Sequence, residues 1–296
     1  MKRIFFLALL CAVCVRAEHP LVIQTDFGTK DGAVAAIKGV AAGVDAKLAI
    51  FDLTHDSTPF DIWEAAYRLK QVAPYWPPGT VFVSVIDPGV GTDRKSVVVQ
   101  TSSGHFFVGP DNGTWTFIAE ELGVAAVREI DETRNRRAGS DRSHTFHGRD
   151  VYVWVGAGLA SGRLAFENVG PSLESKVIQL AHERARLDGG ALIGTIPYLD
   201  TNFGNVWTDL SGALLAKLKP EFGGRFLVSV KNGNKEIYRG ELPYVRTFGD
   251  VPKGSPLLYL NSLGDVAFAI NQGDFAKTNR IGCGSEWSVR VEKLEP

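Results

Sequence analysis

Cysteine is scarce in this sequence of 296 residues. It has three cysteines, and two of them, Cys11 and Cys14, lie among the first 17 residues. If that segment is removed, Cys283 has no partner for an internal disulfide, and the fold must be stabilised by packing. An excess of charge is also missing, because 32 basic residues face 33 acidic ones. This balance argues against a nucleic-acid partner or an anionic membrane surface.

Several catalytic signatures are missing as well. The sequence has no GxGxxG or GxxxxGK[ST] run after its first predicted strand, which disfavours a phosphate cradle, and no GxSxG elbow for acyl transfer. No HExxH or CxxC pattern supports zinc, because the one Cys-x-x-Cys, from Cys11 to Cys14, lies in the first 17 residues. His144, His147 and Asp150, with Asp26 and Asp31, could supply metal ligands, but their spacing matches no known pattern. We therefore predict neither a metal nor a cofactor.

The first 17 residues have the three parts of a secretory signal. Lys2 and Arg3 precede an apolar run of about 12 residues, and Val15-Arg16-Ala17 offers a small-residue cleavage site. The run is shorter than the roughly 20 residues that a spanning helix needs. We expect cleavage near Ala17, export to the periplasm, and no membrane association afterwards.

The remaining chain reads as two domains of a globular protein. Hydrophobic residues make up 45% of the composition, which is typical of a folded core. Strand-length apolar runs alternate with helical patterns up to about residue 180, which predicts an α/β domain over 18–182 with a mostly parallel sheet flanked by helices. Short strands separated by turns predict a smaller antiparallel, barrel-like β domain over 189–296. The charged stretch between them is interpreted as a linker, although a solvated helix face would look the same.

Individual elements of the first domain can be placed from periodicity and turn signals. A hairpin is expected where a Ser-Ser-Gly turn separates 96–100 from 106–108. The other predicted strands are 22–25, 47–53 and 81–86, and the predicted helices are 33–43, 59–69, 115–122 and 149–160.

Polar residues gather at the predicted ends of these elements. They fall in five clusters, at 25–31, 52–56, 87–94, 109–113 and 145–150. Any one of them could be a helix cap or a turn, since Asp, Asn and Gly favour such positions. Ligands of open parallel sheets bind beyond the carboxyl ends of the strands. Five clusters at one such edge therefore predict a binding site.

Taken together, the clusters resemble the adenosine-forming S-adenosyl-L-methionine (SAM) hydrolases, or SAM hydroxide adenosyltransferases, relatives of fluorinase and chlorinase. The resemblance extends in order over nearly the whole chain after residue 20. The matching residues are Thr25-Asp26-Phe27-Gly28 with Asp31, Asp52 with Thr54-His55, Asp87-Pro88-Gly89-Val90-Gly91-Thr92 with Arg94, Gly109-Pro110-Asp111-Asn112-Gly113, Thr145-Phe146-His147-Gly148-Arg149-Asp150, Asp200 with Phe203-Gly204-Asn205, Asn261-Ser262, and Asn271-Gln272-Gly273.

The resemblance implies a catalytic set of Asp87, Arg94 and His147. Halogenating relatives lack the acidic residue at the Asp87 position and the histidine at the His147 position, and they carry an inserted loop in the N-terminal domain that this sequence does not show. Water is therefore the expected nucleophile, attacking the ribose 5'-carbon of SAM to give adenosine and methionine.

The resemblance also implies the binding residues and their assembly. Asp26 is expected to hold the ribose hydroxyls, with Phe60 beside the ribose. Asp200, Phe203 and Asn205 are expected to contact adenine and the methionine amino group, and Ser262 the methionine carboxylate. These last four would come from a neighbouring subunit of a homotrimer. Leu263 and Ile270 replace arginines of the halogenating relatives, which leaves the carboxylate contacts open.

The residue types suggest how water could be activated. Methionine leaves as a neutral thioether, so no general acid is needed and the task is to place water in line with the breaking bond. A neutral imidazole, with an ordinary pKa of about 6.5, is a useful base, and this favours His147 as the proton acceptor. Arg94 cannot act as a base and is assigned to fixing Asp87 and the water.

Two other function classes stay open at this level. A calcium-dependent nucleoside N-ribohydrolase is suggested by Asp26 and Asp31 after the first strand, although a denser run of aspartates would be expected there. An exported, non-catalytic nucleoside-binding protein is suggested by the signal segment, because SAM is a cytoplasmic metabolite.

Overall fold

The computed structural model describes residues 18–200 and 202–295. The predicted signal segment, residues 1–17, lies outside the described residues. Within the described part of the chain, no helix is both long enough and apolar enough to cross a bilayer.

A seven-stranded sheet organises the first half of the chain. Its strand order is β2-β1-β3-β5-β4-β6-β7, in which β2, β1, β3 and β5 are parallel neighbours and β4, β6 and β7 add antiparallel pairings. The strands are β1 (Leu21–Thr25), β2 (Ile50–Thr54), β3 (Val81–Val85), β4 (Ser96–Thr101), β5 (Phe106–Pro110), β6 (Val124–Glu129) and β7 (Ser172–Leu173). The predicted mostly parallel sheet and the β4–β5 hairpin are thus confirmed.

Helices cover both faces of this sheet. The first helix packs against the core formed by β1 and β3 through Ile37, Ala41 and Val44. The fourth helix, buried except at Trp154, packs there with it. The second and third helices pack with the other face. The helices are α1 (Ala33–Val44), α2 (Ile62–Val72), α3 (Thr116–Leu122) and α4 (Val153–Ala160), with a π-helical turn at Gly148–Tyr152 and 3-10 turns at Ala73–Tyr75 and Phe166–Asn168.

The second half of the chain contains two antiparallel sheets. One has the order β10-β11-β15-β14 and the other β13-β12-β16-β9-β8. Their strands are β8 (Arg186–Asp188), β9 (Ala191–Ile196), β10 (Tyr198–Asp200), β11 (Asn205–Ser211), β12 (Arg225–Asn232), β13 (Lys235–Pro243), β14 (Pro256–Leu260), β15 (Asp265–Ile270) and β16 (Gly284–Lys293), with short helices α5 (Gly212–Ala216) and α6 (Phe275–Asn279) and a 3-10 turn at Phe248–Asp250. The antiparallel prediction is confirmed, and the described strands form open sheets rather than a closed barrel. Strand β8 lies inside the stretch interpreted as a linker.

The two halves are joined by aromatic packing and hydrogen bonds. Trp63 of α2 donates its indole N–H to the Pro197 carbonyl at 3.0 Å, and Arg68 donates to the Tyr198 hydroxyl at 2.9 Å. Tyr67 stacks on Tyr198 with ring centroids 5.4 Å apart. Helix α2 therefore links the parallel sheet to the antiparallel half.

Candidate active site

The parallel strands place the polar clusters at one edge of the sheet. Because β2, β1, β3 and β5 run side by side in the same direction, their carboxyl ends meet there. Asp26, His55 and Asp111 directly follow β1, β2 and β5, and Asp87 lies two positions after the end of β3. This confirms that at least four predicted clusters share one edge.

A tight loop after β3 brings Arg94 back onto Asp87. The Val90 N–H donates to the Asp87 carbonyl at 3.2 Å, and the Thr92 N–H donates to the Gly89 carbonyl at 3.0 Å. Gly91 has a φ of +80°, a left-handed conformation that glycine adopts without steric cost. The loop therefore reverses the chain so that residues seven positions apart can pair.

Asp87 and Arg94 form a buried, two-point ion pair. Arg94 Nε lies 2.9 Å from Oδ1 of Asp87, and Nη2 lies 2.6 Å from Oδ2. Only 6% of the Asp87 side chain and 10% of the Arg94 side chain is exposed. Burial lowers the pKa of Arg94, but the hydrogen bond to Asp87 and the charges of Asp87 and Glu132 together outweigh it, and the net pKa is raised. The guanidinium is thus a permanent cation and a rigid donor.

His147 completes this group from a distant part of the chain. Its Nδ1 lies 2.9 Å from Nη2 of Arg94. Since Arg94 can only donate, Nδ1 is the acceptor, and the neutral imidazole carries its proton on Nε2. Burial lowers the pKa of His147, which favours this neutral form. Nε2 is buried and has no hydrogen-bond partner among the described residues.

The π-helical turn that follows His147 sets its position. Gly148 lets this turn approach the end of β3, because a Cβ at this position would lie 2.9 Å from Val85 Cγ1. Asp150, fully buried, accepts hydrogen bonds from Arg137 and Arg149. Its pKa is lowered because these bonds outweigh the opposing effect of burial. Asp150 therefore anchors the turn, while His147 faces the site.

Two of the three predicted catalytic residues border a cavity of about 280 Å³. Asp87 and His147 line it together with Asp26 and Phe60. Asp26 Oδ2 accepts the Phe60 N–H at 2.9 Å, which holds Phe60 at a φ of +68° with 70% of the residue exposed. The structure thus brings five of the predicted site residues together, with Arg94 behind Asp87 and His147.

The other four predicted site residues line a second cavity. This cavity has a volume of about 800 Å³ and lies in the antiparallel half, where Asp200, Phe203, Asn205 and Ser262 border it. Asn205 donates to Asp200 Oδ2 at 3.2 Å, and Phe203 is 67% exposed. The two cavities have no lining residue in common. Within one chain the predicted residues therefore form two groups.

Sequence reasoning missed residues that only the fold brings to the Asp87–Arg94 pair or to the second cavity. Tyr152, in the π-helical turn before α4, donates to Asp87, and Ser96, in β4, accepts from Arg94. Asn261 lines the second cavity with its Oδ1 fixed by the Leu263 and Asp265 N–H groups, and its buried Nδ2 has no partner within the described residues. The Asn261-Ser262 motif was a signal for Asn261, whereas nothing in the sequence pointed to Tyr152.

Some motif residues support the site from outside the cavity. His55 bridges Thr25 Oγ1, at 2.8 Å from Nδ1, and Asp52 Oδ1, at 3.0 Å from Nε2. Asn112 donates its side-chain amide to the Ile86 carbonyl at 2.9 Å. These bonds fix the chain beside Asp26 and Asp87. In residues 18–200 and 202–295, no group of three or more His, Cys, Asp or Glu side chains is arranged to hold a metal ion.

Comparison with known proteins assigns the chain. Residues 21–170 match the SAM hydroxide adenosyltransferase N-terminal domain, and residues 194–288 match the C-terminal domain of the same name. The chain belongs to the SAM hydroxide adenosyltransferase family. The resemblance predicted from the sequence motifs is thereby confirmed.

Individual relatives support the family assignment. The chain is 37% identical over 251 residues to a (R)-S-adenosyl-L-methionine hydrolase of Salinispora tropica, covering 84% of this chain and 89% of that protein. It is 48% identical to the enzyme of the same name from Methanocaldococcus jannaschii over 143 residues, 46% of this chain and about half (51%) of that protein. A crystal structure of an uncharacterized conserved protein from Thermotoga maritima matches 92% of this chain and 99% of its own, with 34% identity and a TM-score of 0.82.

Proposed function

We propose that this protein hydrolyses S-adenosyl-L-methionine to adenosine and L-methionine. The supporting observation is the contact of Asp87, Arg94 and His147 at the wall of one cavity, in a chain of the SAM hydroxide adenosyltransferase family. The oxygen of water bonds to the ribose 5'-carbon while the carbon–sulfur bond breaks, and its electron pair stays on sulfur. One proton is released, so the products are adenosine, zwitterionic methionine and H⁺.

In the proposed mechanism Asp87 Oδ1 orients the water. Oδ2 already accepts bonds from Arg94 and Tyr152, whereas Oδ1 accepts its one short bond from Arg94 Nε and keeps capacity for a second donor. An O–H of water fills that capacity and directs an oxygen lone pair towards the substrate. Fixing this geometry is the main source of acceleration, because an in-line attack is entropically demanding.

The structure changes the role proposed for His147. In the sequence interpretation His147 accepts the proton, but here its Nδ1 lone pair is occupied by Arg94. Attack by neutral water creates a protonated alcohol, which is a strong acid, and a carboxylate is a sufficient acceptor for its proton. We therefore assign proton acceptance to Asp87 and a hydrogen-bond donor role at Nε2 to His147.

The decisive experiment is incubation with SAM in ¹⁸O-labelled water, followed by mass spectrometry. Label in the adenosine 5'-hydroxyl, together with methionine, is expected. Release of free adenine, with loss of activity in EDTA, would instead identify the calcium-dependent N-ribohydrolase. Binding of adenosine without turnover of SAM would identify the nucleoside-binding protein.

The names of the relatives refine the proposed substrate. Two of them are called (R)-S-adenosyl-L-methionine hydrolases, which specifies one configuration at sulfur. We propose the same preference here, to be measured as kcat/KM for the separated (R) and (S) sulfonium epimers. Equal values for the two epimers would refute it.

We further propose that the active site is completed by a second copy of the chain in a homotrimer. Phe60 and Phe203 are both about two-thirds exposed, and they stand at cavities that have no residue in common. Joining the two cavities of neighbouring copies would cover both rings. Light scattering should give three times the chain mass. An inactive Asp87→Asn chain and an inactive Asn205→Ala chain can then be denatured together and refolded as mixed trimers. Activity should return, because some sites combine an intact Asp87 from one chain with an intact Asn205 from another.

We also propose export of the mature chain. The support is the charged start, apolar run and cleavage site in residues 1–17. The test is to fractionate cells that express the protein and to sequence the N-terminus of the recovered protein. We expect the mature form outside the cytoplasm, beginning near Glu18. A full-length N-terminus in the cytoplasmic fraction would contradict export.

A further inference from the structure

The two oxygens of Asp87 have different surroundings. Oδ2 lies 2.6 Å from Arg94 Nη2 and 3.3 Å from the Tyr152 hydroxyl, while the shortest contact of Oδ1 is to Arg94 Nε at 2.9 Å. A carboxylate oxygen has about two acceptor sites. Oδ2 is therefore saturated, and Oδ1 is the oxygen with capacity to spare.

The saturation of Oδ2 comes from a second path between Arg94 and Asp87. Arg94 Nη1 donates to Ser96 Oγ at 3.1 Å, and Ser96 Oγ lies 3.2 Å from the Tyr152 hydroxyl. The Tyr152 hydroxyl has one proton, which it donates to Asp87, so Ser96 is the donor in the contact between the two hydroxyls. The Ser96 proton also has Glu132 Oε1 as an acceptor, but at the longer distance of 3.4 Å. Arg94 therefore donates to Ser96, Ser96 to Tyr152, and Tyr152 to Asp87. In such a chain of donors and acceptors, each hydrogen bond strengthens the next.

The Tyr152 side chain is held firmly enough to act as a fixed donor. It is fully buried, its ring lies 5.7 Å from the Arg94 guanidinium carbon, and it meets the His147 ring edge to face. Burial, reinforced by the charge of Asp87, raises the pKa of Tyr152, so the phenol keeps its proton at any working pH. Tyr152 is also the last residue of the π-helical turn, a feature often found at functional sites.

We propose that Tyr152 is a positioning residue that fixes the Asp87 carboxylate with Oδ1 towards the nucleophilic water. This inference rests on the proposed function for the identity of that water, and it goes beyond the Asp87, Arg94 and His147 set. Without the phenol proton, Asp87 keeps its two bonds to Arg94, but the third contact that fixes the plane of the carboxylate is lost, and the plane can tilt about the Cβ–Cγ bond. The water would then lose its fixed direction of attack.

The test compares two buried tyrosines that differ in one respect. Tyr152→Phe removes a hydroxyl that contacts Asp87, whereas Tyr67→Phe removes a fully buried hydroxyl that has no hydrogen-bond partner in the described structure. We expect Tyr152→Phe to lower kcat about tenfold with KM for SAM unchanged, as for loss of one hydrogen bond to a charged group. Tyr67→Phe should leave both constants unchanged.

Crystal structures of the two variants give a readout that does not depend on turnover. The Asp87 carboxylate plane should rotate in Tyr152→Phe and stay in place in Tyr67→Phe. An unmoved carboxylate, an unchanged kcat, or a change confined to KM would each overturn the positioning role. If Tyr152→Phe does not fold, Ser96→Ala removes the group that donates to the Tyr152 hydroxyl; because Tyr152 still donates to Asp87, a smaller kcat loss and a smaller rotation in the same direction are expected. Absence of adenosine formation by the unsubstituted chain would refute the proposed function, while the carboxylate comparison would still test the positioning.

Discussion

Nη2 of Arg94 lies 2.9 Å from Nδ1 of His147, and the same nitrogen lies 2.6 Å from Oδ2 of Asp87. One guanidinium nitrogen therefore bridges a carboxylate and an imidazole that are 60 residues apart in the sequence. This arrangement requires a neutral imidazole, because protonated His147 would present a second N–H donor to the guanidinium and an added positive charge.

The first prediction concerns the pH dependence of turnover. Burial lowers the pKa of His147 below its usual value of about 6.5, so the neutral form needed for the Arg94 contact prevails above that pH. As pH falls through the lowered pKa, protonation breaks the contact and kcat/KM should fall. The midpoint of this acid limb should lie below pH 6.5 and should disappear in His147→Gln, which cannot titrate. Persistence of the same limb in His147→Gln would show that another group controls it.

The second prediction concerns the charge of Asp87. Asp87→Asn keeps the size of the side chain but removes the anion that pairs with Arg94 and orients water. We expect kcat to fall by about 100-fold or more, as for loss of an acid–base group, with SAM still bound in calorimetry. Asp93→Asn, at an exposed position in the same loop, is the matched control and should retain full activity. Comparable rates for the two variants would exclude a role for the Asp87 charge.

The third prediction concerns substrate binding in the larger cavity. Asn261 is 7% exposed, and its fixed Oδ1 leaves Nδ2 as a donor at the cavity wall. Asn261→Asp preserves both bonds to the backbone but replaces the donor with a negatively charged acceptor. KM for SAM should rise about tenfold or more with little change in kcat, because a binding contact is lost and not a transition-state contact. Asn234→Asp, in an exposed turn, is the control; a KM change of the same size there would point to general charge effects.

The fourth prediction concerns stability. Burial raises the pKa of Asp209 to about 7, although the Thr195 N–H, which donates to Oδ1 at 2.7 Å, and the nearby Lys70 oppose this. Between about pH 4 and pH 7 the folded protein holds a proton that the unfolded chain has released, so stability falls as pH rises through this window. Asp209→Asn keeps the acceptor for Thr195 and carries no charge.

The free energy of unfolding of Asp209→Asn at pH 8 should exceed that of the unsubstituted chain by about 1–2 kcal/mol, and the difference should shrink at pH 5. Calorimetric melting at the two pH values measures this. The exposed Asp141→Asn is the comparison, and it should show no such pH-dependent gain. Equal gains at both pH values would mean that burial of charge at Asp209 is not the cause.

Much of the fold follows from local pattern. Pro59-Phe60-Asp61 predicts a helix start, and Asp61 is indeed the N-cap of α2, accepting the Glu64 N–H at 2.9 Å. Strand β3 is wholly buried and, apart from Ser84, consists of β-branched and aromatic residues, as expected for a parallel sheet. Strand β6 was not predicted, because Ala125 and Ala126 have little strand propensity. It forms because Val97 to Thr101 of β4 offer it backbone partners along its length, with one register shift between Gln100 and Thr101.

The candidate site, like the fold, has features that follow from the sequence and features that only the tertiary structure sets. The sequence by itself determined which chemical groups are available and that several would meet at one edge of the sheet, because parallel neighbouring strands end on the same side. Only the tertiary structure decided which nitrogen of His147 is occupied, which oxygen of Asp87 remains available, and that Tyr152 reaches Asp87 across 65 positions of the chain. A hydrogen bond forms or is lost over a change of a few tenths of an ångström in the donor–acceptor distance. Between groups that are remote in sequence, this distance is set by the packing of strands and helices, and residue type and spacing do not determine it.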